Sequence, residues 1–116
     1  MLEPTRKERR SQRRVEAAIP IRMQGPDAAG DPFDETTKAL EVSRRGLSFL
    51  TKHKLTILAT LTVTIPGLGP IRPGEGPTDF FTQATVVRSI KDDVGFYNVG
   101  VRFRGATLAM YSPEGL

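Results

Sequence analysis

Apolar and polar residues alternate with a period of two through much of this chain, and no long stretch carries the 3.6-residue period of a helix. The clearest run is Ile57 to Ile65. Ile57, Ala59, Leu61, Val63 and Ile65 fall on one side and Leu58, Thr60, Thr62 and Thr64 on the other, which predicts a strand with one buried face. Tyr97, Val99, Val101 and Phe103 form the apolar face of a last strand, opposite Asn98, Gly100, Arg102 and Arg104. Ile19, Ile21 and Met23 share one side of a short first strand. Pro20 has no amide hydrogen and belongs at that strand's start or on an unpaired edge. Phe33 to Val42 reads as a second strand returning beside the first, and Leu47 to Leu50 as a short third. Phe80 to Ile90 is β-branched and aromatic without clean alternation, which predicts a bulge or two partly covered faces.

The punctuation agrees. Gly25 to Pro32 is dense in turn formers and reads as a hairpin connection, and Asp92-Asp93-Val94-Gly95 as a later turn. Ser43-Arg44-Arg45-Gly46 turns the chain between the second and third strands, with Gly46 free to supply a positive φ. Pro66 to Pro77 contains eight Gly and Pro residues in twelve, so it is a loop. It lacks the Gly-Lys-Ser/Thr ending of a phosphate loop, which argues against a nucleoside-triphosphate site. About six strands at regular spacing predict an all-β domain, a small antiparallel barrel or sandwich.

Length fits one domain: 116 residues can bury a core but not two. The expected division is an arm over residues 1–14, the β domain over 15–105 and a tail over 106–116. With no Cys and a single His, disulfide frameworks, Cys nucleophiles and zinc clusters drop out. No apolar run approaches the roughly 20 residues of a membrane span, and the basic N-terminus is not followed by the apolar core of a signal peptide; a cytoplasmic location is expected.

Charge singles out the arm. Residues 1–14 hold six basic groups against Glu3 and Glu8, a net of +4; the whole chain is also +4, and residues 15–116 balance at eleven of each sign. A field that local suits a compact anion better than an extended surface, and so many like charges with so few apolar anchors predict a flexible arm. Nucleic-acid binding is disfavoured, because the arm has no aromatic residue to stack on bases and the remainder is neutral.

Catalytic chemistry finds little footing, and neither an enzyme nor a cofactor is expected. His53, between Lys52 and Lys54, reads as an exposed loop histidine; Asp92 and Asp93 read as a solvated turn; Ser11 and Ser43 have no base at a defined spacing. Binding chemistry fares better. Arg10 and Arg14, four apart, can be aimed at one ligand, and a guanidinium gives bidentate bonds to phosphate or to the guanine O6/N7 edge and stacks on a base.

Arg10-Ser11-Gln12-Arg13-Arg14-Val15 followed by Ile19-Pro20-Ile21 resembles the RxxxR arm and first strand of PilZ domains. Glu41-Val42-Ser43-Arg44-Arg45-Gly46-Leu47 resembles their second motif, D/N-x-S-x-x-G, and Val99-Gly100-Val101-Arg102-Phe103 is similar to their last strand. The resemblance covers residues 9 to 104 in order and spacing. It implies a six-stranded antiparallel β-barrel that binds cyclic di-GMP and signals to a downstream protein. Arg10 and Arg14 would clamp phosphates and guanine edges, with Ser43 and Gly46 lining the other side. Arg9, directly before the pair, is a position where an Arg in this family tends to accompany capture of an intercalated ligand dimer. One residue departs from the pattern: Glu41 stands where the family has Asp or Asn, its carboxylate displaced by a methylene. That shift implies either a strained contact to guanine N–H groups or, as the alternative, a domain that has lost its nucleotide and serves as a protein-interaction module.

Overall fold

A computed structural model describes residues 15, 16 and 18–108; of Val15 and Glu16 it describes the backbone. The described residues form seven antiparallel strands: β1 (Val15–Glu16), β2 (Pro20–Pro26), β3 (Pro32–Ser43), β4 (Gly46–Thr51), β5 (Thr60–Ile65), β6 (Phe80–Lys91) and β7 (Tyr97–Arg104). Six of them close into a barrel in the order β2-β5-β6-β7-β4-β3, and β3 pairs back to β2. β1 runs along the same edge of β3 as β2, with Val15 opposite Val42 and Glu16 opposite Glu41. Closure gives every barrel strand a partner on both edges, which satisfies backbone groups that an open sheet would leave exposed. The all-β, six-stranded antiparallel barrel expected from the sequence is the fold observed.

Alternation decides which side chains enter. Ile21 and Met23 of β2, Leu61, Val63 and Ile65 of β5, and Val99, Val101 and Phe103 of β7 are buried together around Phe49 of β4. Tyr97 packs against this core more loosely. Phe80 and Phe103 meet with ring centroids 5.0 Å apart at 57°, the tilted geometry that aromatic quadrupoles favour. Leu108, beyond the last strand, is buried with them.

Two readings of the pattern need correction. The run beginning at Ile57 is a strand only from Thr60: Leu58 has φ +77° and Ile57 is half exposed, so the segment before β5 turns, and only Ala59 packs on the core. Leu58 N–H donates to the Val86 carbonyl, and Val86 N–H to Ala59, so this turn is tied to β6 rather than extending β5. In β6 the alternation is in fact regular from Phe80 to Val86, disguised by Thr82, which is buried with its hydroxyl donating to the Arg104 carbonyl at 2.9 Å. The expected bulge then follows between Val86 and Arg88.

His53 also differs from expectation. Its ring stacks on Phe33, centroids 4.7 Å apart, with Nε2 3.9 Å from Glu35, and it is partly covered rather than a free loop side chain. The Glu35 carboxylate accepts a hydrogen bond from Thr51 Oγ1 at 2.6 Å, so a buried hydroxyl is satisfied at this end of the barrel.

Candidate functional site

The turn after β3 carries the second motif, and its geometry follows from one close approach. A Cβ on Gly46 would overlap the Val101 carbonyl oxygen and crowd Arg102 Cα, because β4 and β7 come together here. Gly46 does not have a positive φ. Its lack of a side chain serves strand packing, and the positive φ that a glycine could have supplied here is not used. Ser43 Oγ donates to the Gly46 carbonyl at 3.3 Å, closing the turn on itself. The Arg45 carbonyl accepts from Phe103 N–H at 2.7 Å and the Arg44 carbonyl from Leu108 N–H at 2.9 Å, so the turn is fixed to β7 and to the segment beyond it.

Two rows of side chains cross the outer surface of β3, β4, β7 and β6. Pairing places Glu41 beside Ser48, Ser48 beside Gly100 and Gly100 beside Arg88; the adjacent row runs Ser43, Gly46, Arg102 and Thr85. Their sequence neighbours Val42, Leu47 and Val101 are buried, which fixes these rows as outward. The centres of the rows hold small residues, Ser48, Gly100 and Gly46, between longer ones. The result is a cleft of about 180 Å³ in the barrel wall, bordered by Glu41 and Ser43 on one side and by Val87, Arg88 and Arg102 on the other, with Arg45 at the turn.

Of the residues that the sequence points to, Glu41, Ser43 and Gly46 therefore share one cleft. Arg9, Arg10 and Arg14 lie outside the described residues. The arm's attachment point is described: Val15 pairs with Val42, and Glu16 with Glu41, on the strand that forms the cleft's wall.

Arg88 and Arg102 join the cleft without any signal in the sequence motifs. Arg102 arises from plain strand alternation and resembles any exposed basic residue. Arg88 needs the bulge: Val87 is the extra residue that moves the side chain of Arg88 opposite Gly100. There its Nη2 donates to Asn98 Oδ1 at 3.0 Å. A Cβ on Gly100 would stand 3.2 Å from Arg88 Cζ and 3.3 Å from both Nη atoms. Gly100 inside a strand was the available signal, since an interior glycine often marks a close approach.

Among the described residues no helix is long and apolar enough to cross a membrane, and no group of three His, Cys, Asp or Glu side chains is placed to hold a metal ion.

A model of the PilZ domain family matches residues 8–112. No curated protein matches the chain. Among solved structures, the chain is similar to one titled as Bacillus subtilis inhibitor of motility (MotI/DgrA), with a TM-score of 0.59 and 18% sequence identity over 84% of this chain and 43% of that one. That likeness establishes the fold, and the chain spans less than half the length of that relative.

Proposed function

The chain belongs to the PilZ domain family, and on that footing we propose that it is a cyclic di-GMP receptor domain, acting without catalysis in the bacterial cytoplasm. The ligand is a compact dianion with two guanine edges, which suits the excess charge held on residues 1–14. Arg10 and Arg14 take phosphates and guanine edges through bidentate guanidinium bonds, and Arg9 adds a cation suited to an intercalated ligand dimer. Glu41 accepts guanine N–H groups, and Ser43 and Gly46 line the ligand on the side away from the arm's arginines.

The observation that carries this reading is the pairing of the arm's root with the motif strand: Val15 opposite Val42, one residue from Glu41 and Ser43. Arg14 is the next residue before Val15 and Arg10 the fifth, so chain length limits their Cα atoms to about 4 Å and 18 Å from that root. Both side chains can reach the cleft. Binding then orders the arm against the barrel, and a downstream protein reads the reorganised surface.

Glu41 favours one other reading, a degenerate domain that binds protein without nucleotide. Calorimetric titration of the purified chain with cyclic di-GMP, with cyclic di-AMP and GTP as controls, separates the two. Saturable heat with cyclic di-GMP alone supports the receptor; no heat at millimolar nucleotide, with the fold intact by circular dichroism, overturns it.

A further inference from the structure

The position of Arg88 over Gly100 has a consequence for how the cleft would hold a base. A Cβ on Gly100 would be nearly equidistant from Cζ, Nη1 and Nη2 of Arg88, at 3.2, 3.3 and 3.3 Å. If the guanidinium met Gly100 by its edge, Cζ would be the farthest of the three, because it lies behind the two nitrogens. It is the nearest, so the group lies face-on across the glycine. The missing side chain of Gly100 is the seat on which the plane rests. Nη2 donating to Asn98 Oδ1 at 3.0 Å resists rotation of that plane, and the bulge at Val87 sets its register. Both Arg88 and Gly100 border the cleft.

We propose that Arg88 is a stacking platform for one purine base of the bound nucleotide, a role separate from those of Arg9, Arg10 and Arg14 in the arm. This rests on the receptor reading above. A guanidinium already flattened, seated and hydrogen-bonded on one edge has lost most of the rotamer freedom that stacking would otherwise cost. One face lies on Gly100, and the base would take the other. Glu41 stands three strands away in the same row, roughly 14 Å along the sheet at the usual strand spacing, on the far side of the small residues. A base lying on Arg88 is thus held by its face, which every purine has, while groups elsewhere in the site read its edge. Arg88 accordingly supplies affinity and leaves base preference to other residues.

The distinguishing substitution is Arg88→Lys, which keeps the charge and removes the plane; Arg88→Ala removes both. In titrations of the full chain with cyclic di-GMP, both variants should bind at least about tenfold more weakly than wild type, the usual scale for a lost base-stacking contact. Base preference should be unchanged: cyclic di-AMP should give no saturable heat with either variant, as with the wild type. In the wild type, ligand should shift the Arg88 Nε–H proton resonance upfield by ring current. Melting temperatures check that the variants fold. If wild type binds and Arg88→Lys binds equally tightly, Arg88 acts only as a charge and the platform is wrong, while the receptor stands. The platform is equally wrong if the Nε–H resonance shows no upfield shift at saturation. If wild type does not bind cyclic di-GMP at all, both the platform and the receptor are wrong.

Discussion

Asp27 and Asp92 occupy the same place in two separate hairpin turns. Asp27 Oδ1 accepts hydrogen bonds from the N–H groups of Ala29 and Asp31, two and four residues on, and Asp92 Oδ1 does the same for Val94 and Phe96, all at 2.9 Å. In each turn the fourth residue is a glycine with positive φ, Gly30 at +89° and Gly95 at +97°. The sequence Asp-x-x-Gly-x thus builds the β2–β3 and β6–β7 hairpins by one device: a side chain satisfies amides that the turned backbone cannot, and glycine takes the left-handed position. The second of these hairpins joins β6 to β7 and so helps set the register in which Arg88 stands opposite Gly100.

The sharpest consequence of the strand packing concerns Gly46. Its Cβ would overlap backbone atoms of Val101, which cannot step aside as a flexible side chain could. Gly46→Ala should therefore force β4 from β7 and cost about 1–3 kcal/mol in urea denaturation, the usual scale of overpacking. Gly76 has open space around its Cβ position and no positive φ, so Gly76→Ala should change stability by less than about 0.5 kcal/mol. Equal effects at the two glycines would refute the close approach.

The assigned register makes a second prediction. Leu61 is buried, whereas Thr62 faces outward between Gln24 and Gln83 on the neighbouring strands. Leu61→Ala should cost about 2–5 kcal/mol through lost burial and the cavity left behind, and Thr62→Ala less than about 0.5 kcal/mol. Similar losses at both positions, measured by thermal or urea unfolding, would mean the register is wrong by one residue.

Strand identity was legible wherever one face met the core and the other met water, as at Ile21 and Met23 or at Val99, Val101 and Phe103. It failed where local composition and backbone path disagreed. Ile57 continues the apolar period of β5, yet the left-handed backbone at Leu58 turns the segment away, and no residue there announces that turn. Thr82 hid the period of β6 because a hydroxyl is tolerable inside when a carbonyl accepts from it. At the candidate site, the motif at 41–46 was legible because its residues are local in sequence. Arg88 was not, because its place depends on a bulge, a distant glycine and an asparagine that only strand pairing brings together.

One surface ion pair has a testable pH signature. Arg22 donates to both Asp34 oxygens, Nε to Oδ1 at 2.9 Å and Nη2 to Oδ2 at 2.6 Å, across the β2–β3 pair. Those hydrogen bonds, ahead of the charge attraction itself, hold the Asp34 carboxyl below its ordinary range. A depressed carboxyl adds stability that is present above its unfolded pKa, about 3.9, and is lost as pH falls through the folded value. Titration by NMR should place the Asp34 midpoint below that of Asp34 in the Arg22→Ala variant. Both side chains are about half exposed, so the stability change should be small and should shrink with added salt. Coincident midpoints in wild type and variant would show that the pair does not persist in solution.

The arm's arginines should separate affinity from stability. Arg10→Ala and Arg14→Ala each remove charge-assisted bonds to the nucleotide, so each should weaken cyclic di-GMP binding by about 1–3 kcal/mol. Neither belongs to an apolar segment, so melting temperature without ligand should hardly move. A large drop in melting temperature with unchanged affinity would make the arginines structural and remove them from the site.

Glu41 gives the last prediction, because it is where this chain departs from the family's Asp or Asn. It lies beside Ser48 in the row that ends at Arg88, on the strand that pairs with the arm's root. Its backbone is fixed by pairing on both edges, so the extra methylene can be absorbed only by bending the side chain, at a cost in rotamer freedom that a shorter acid avoids. Glu41→Asp should therefore tighten cyclic di-GMP binding by about 0.5–1.5 kcal/mol, the worth of one improved hydrogen bond. Glu41→Gln keeps the length but offers an amide in place of two acceptor oxygens, so it should weaken binding. Calorimetry on the three proteins gives the ranking directly. A wild type that binds more tightly than Glu41→Asp would mean that the site is built around the longer acid. Equal affinity in all three would take the residue out of the ligand's reach.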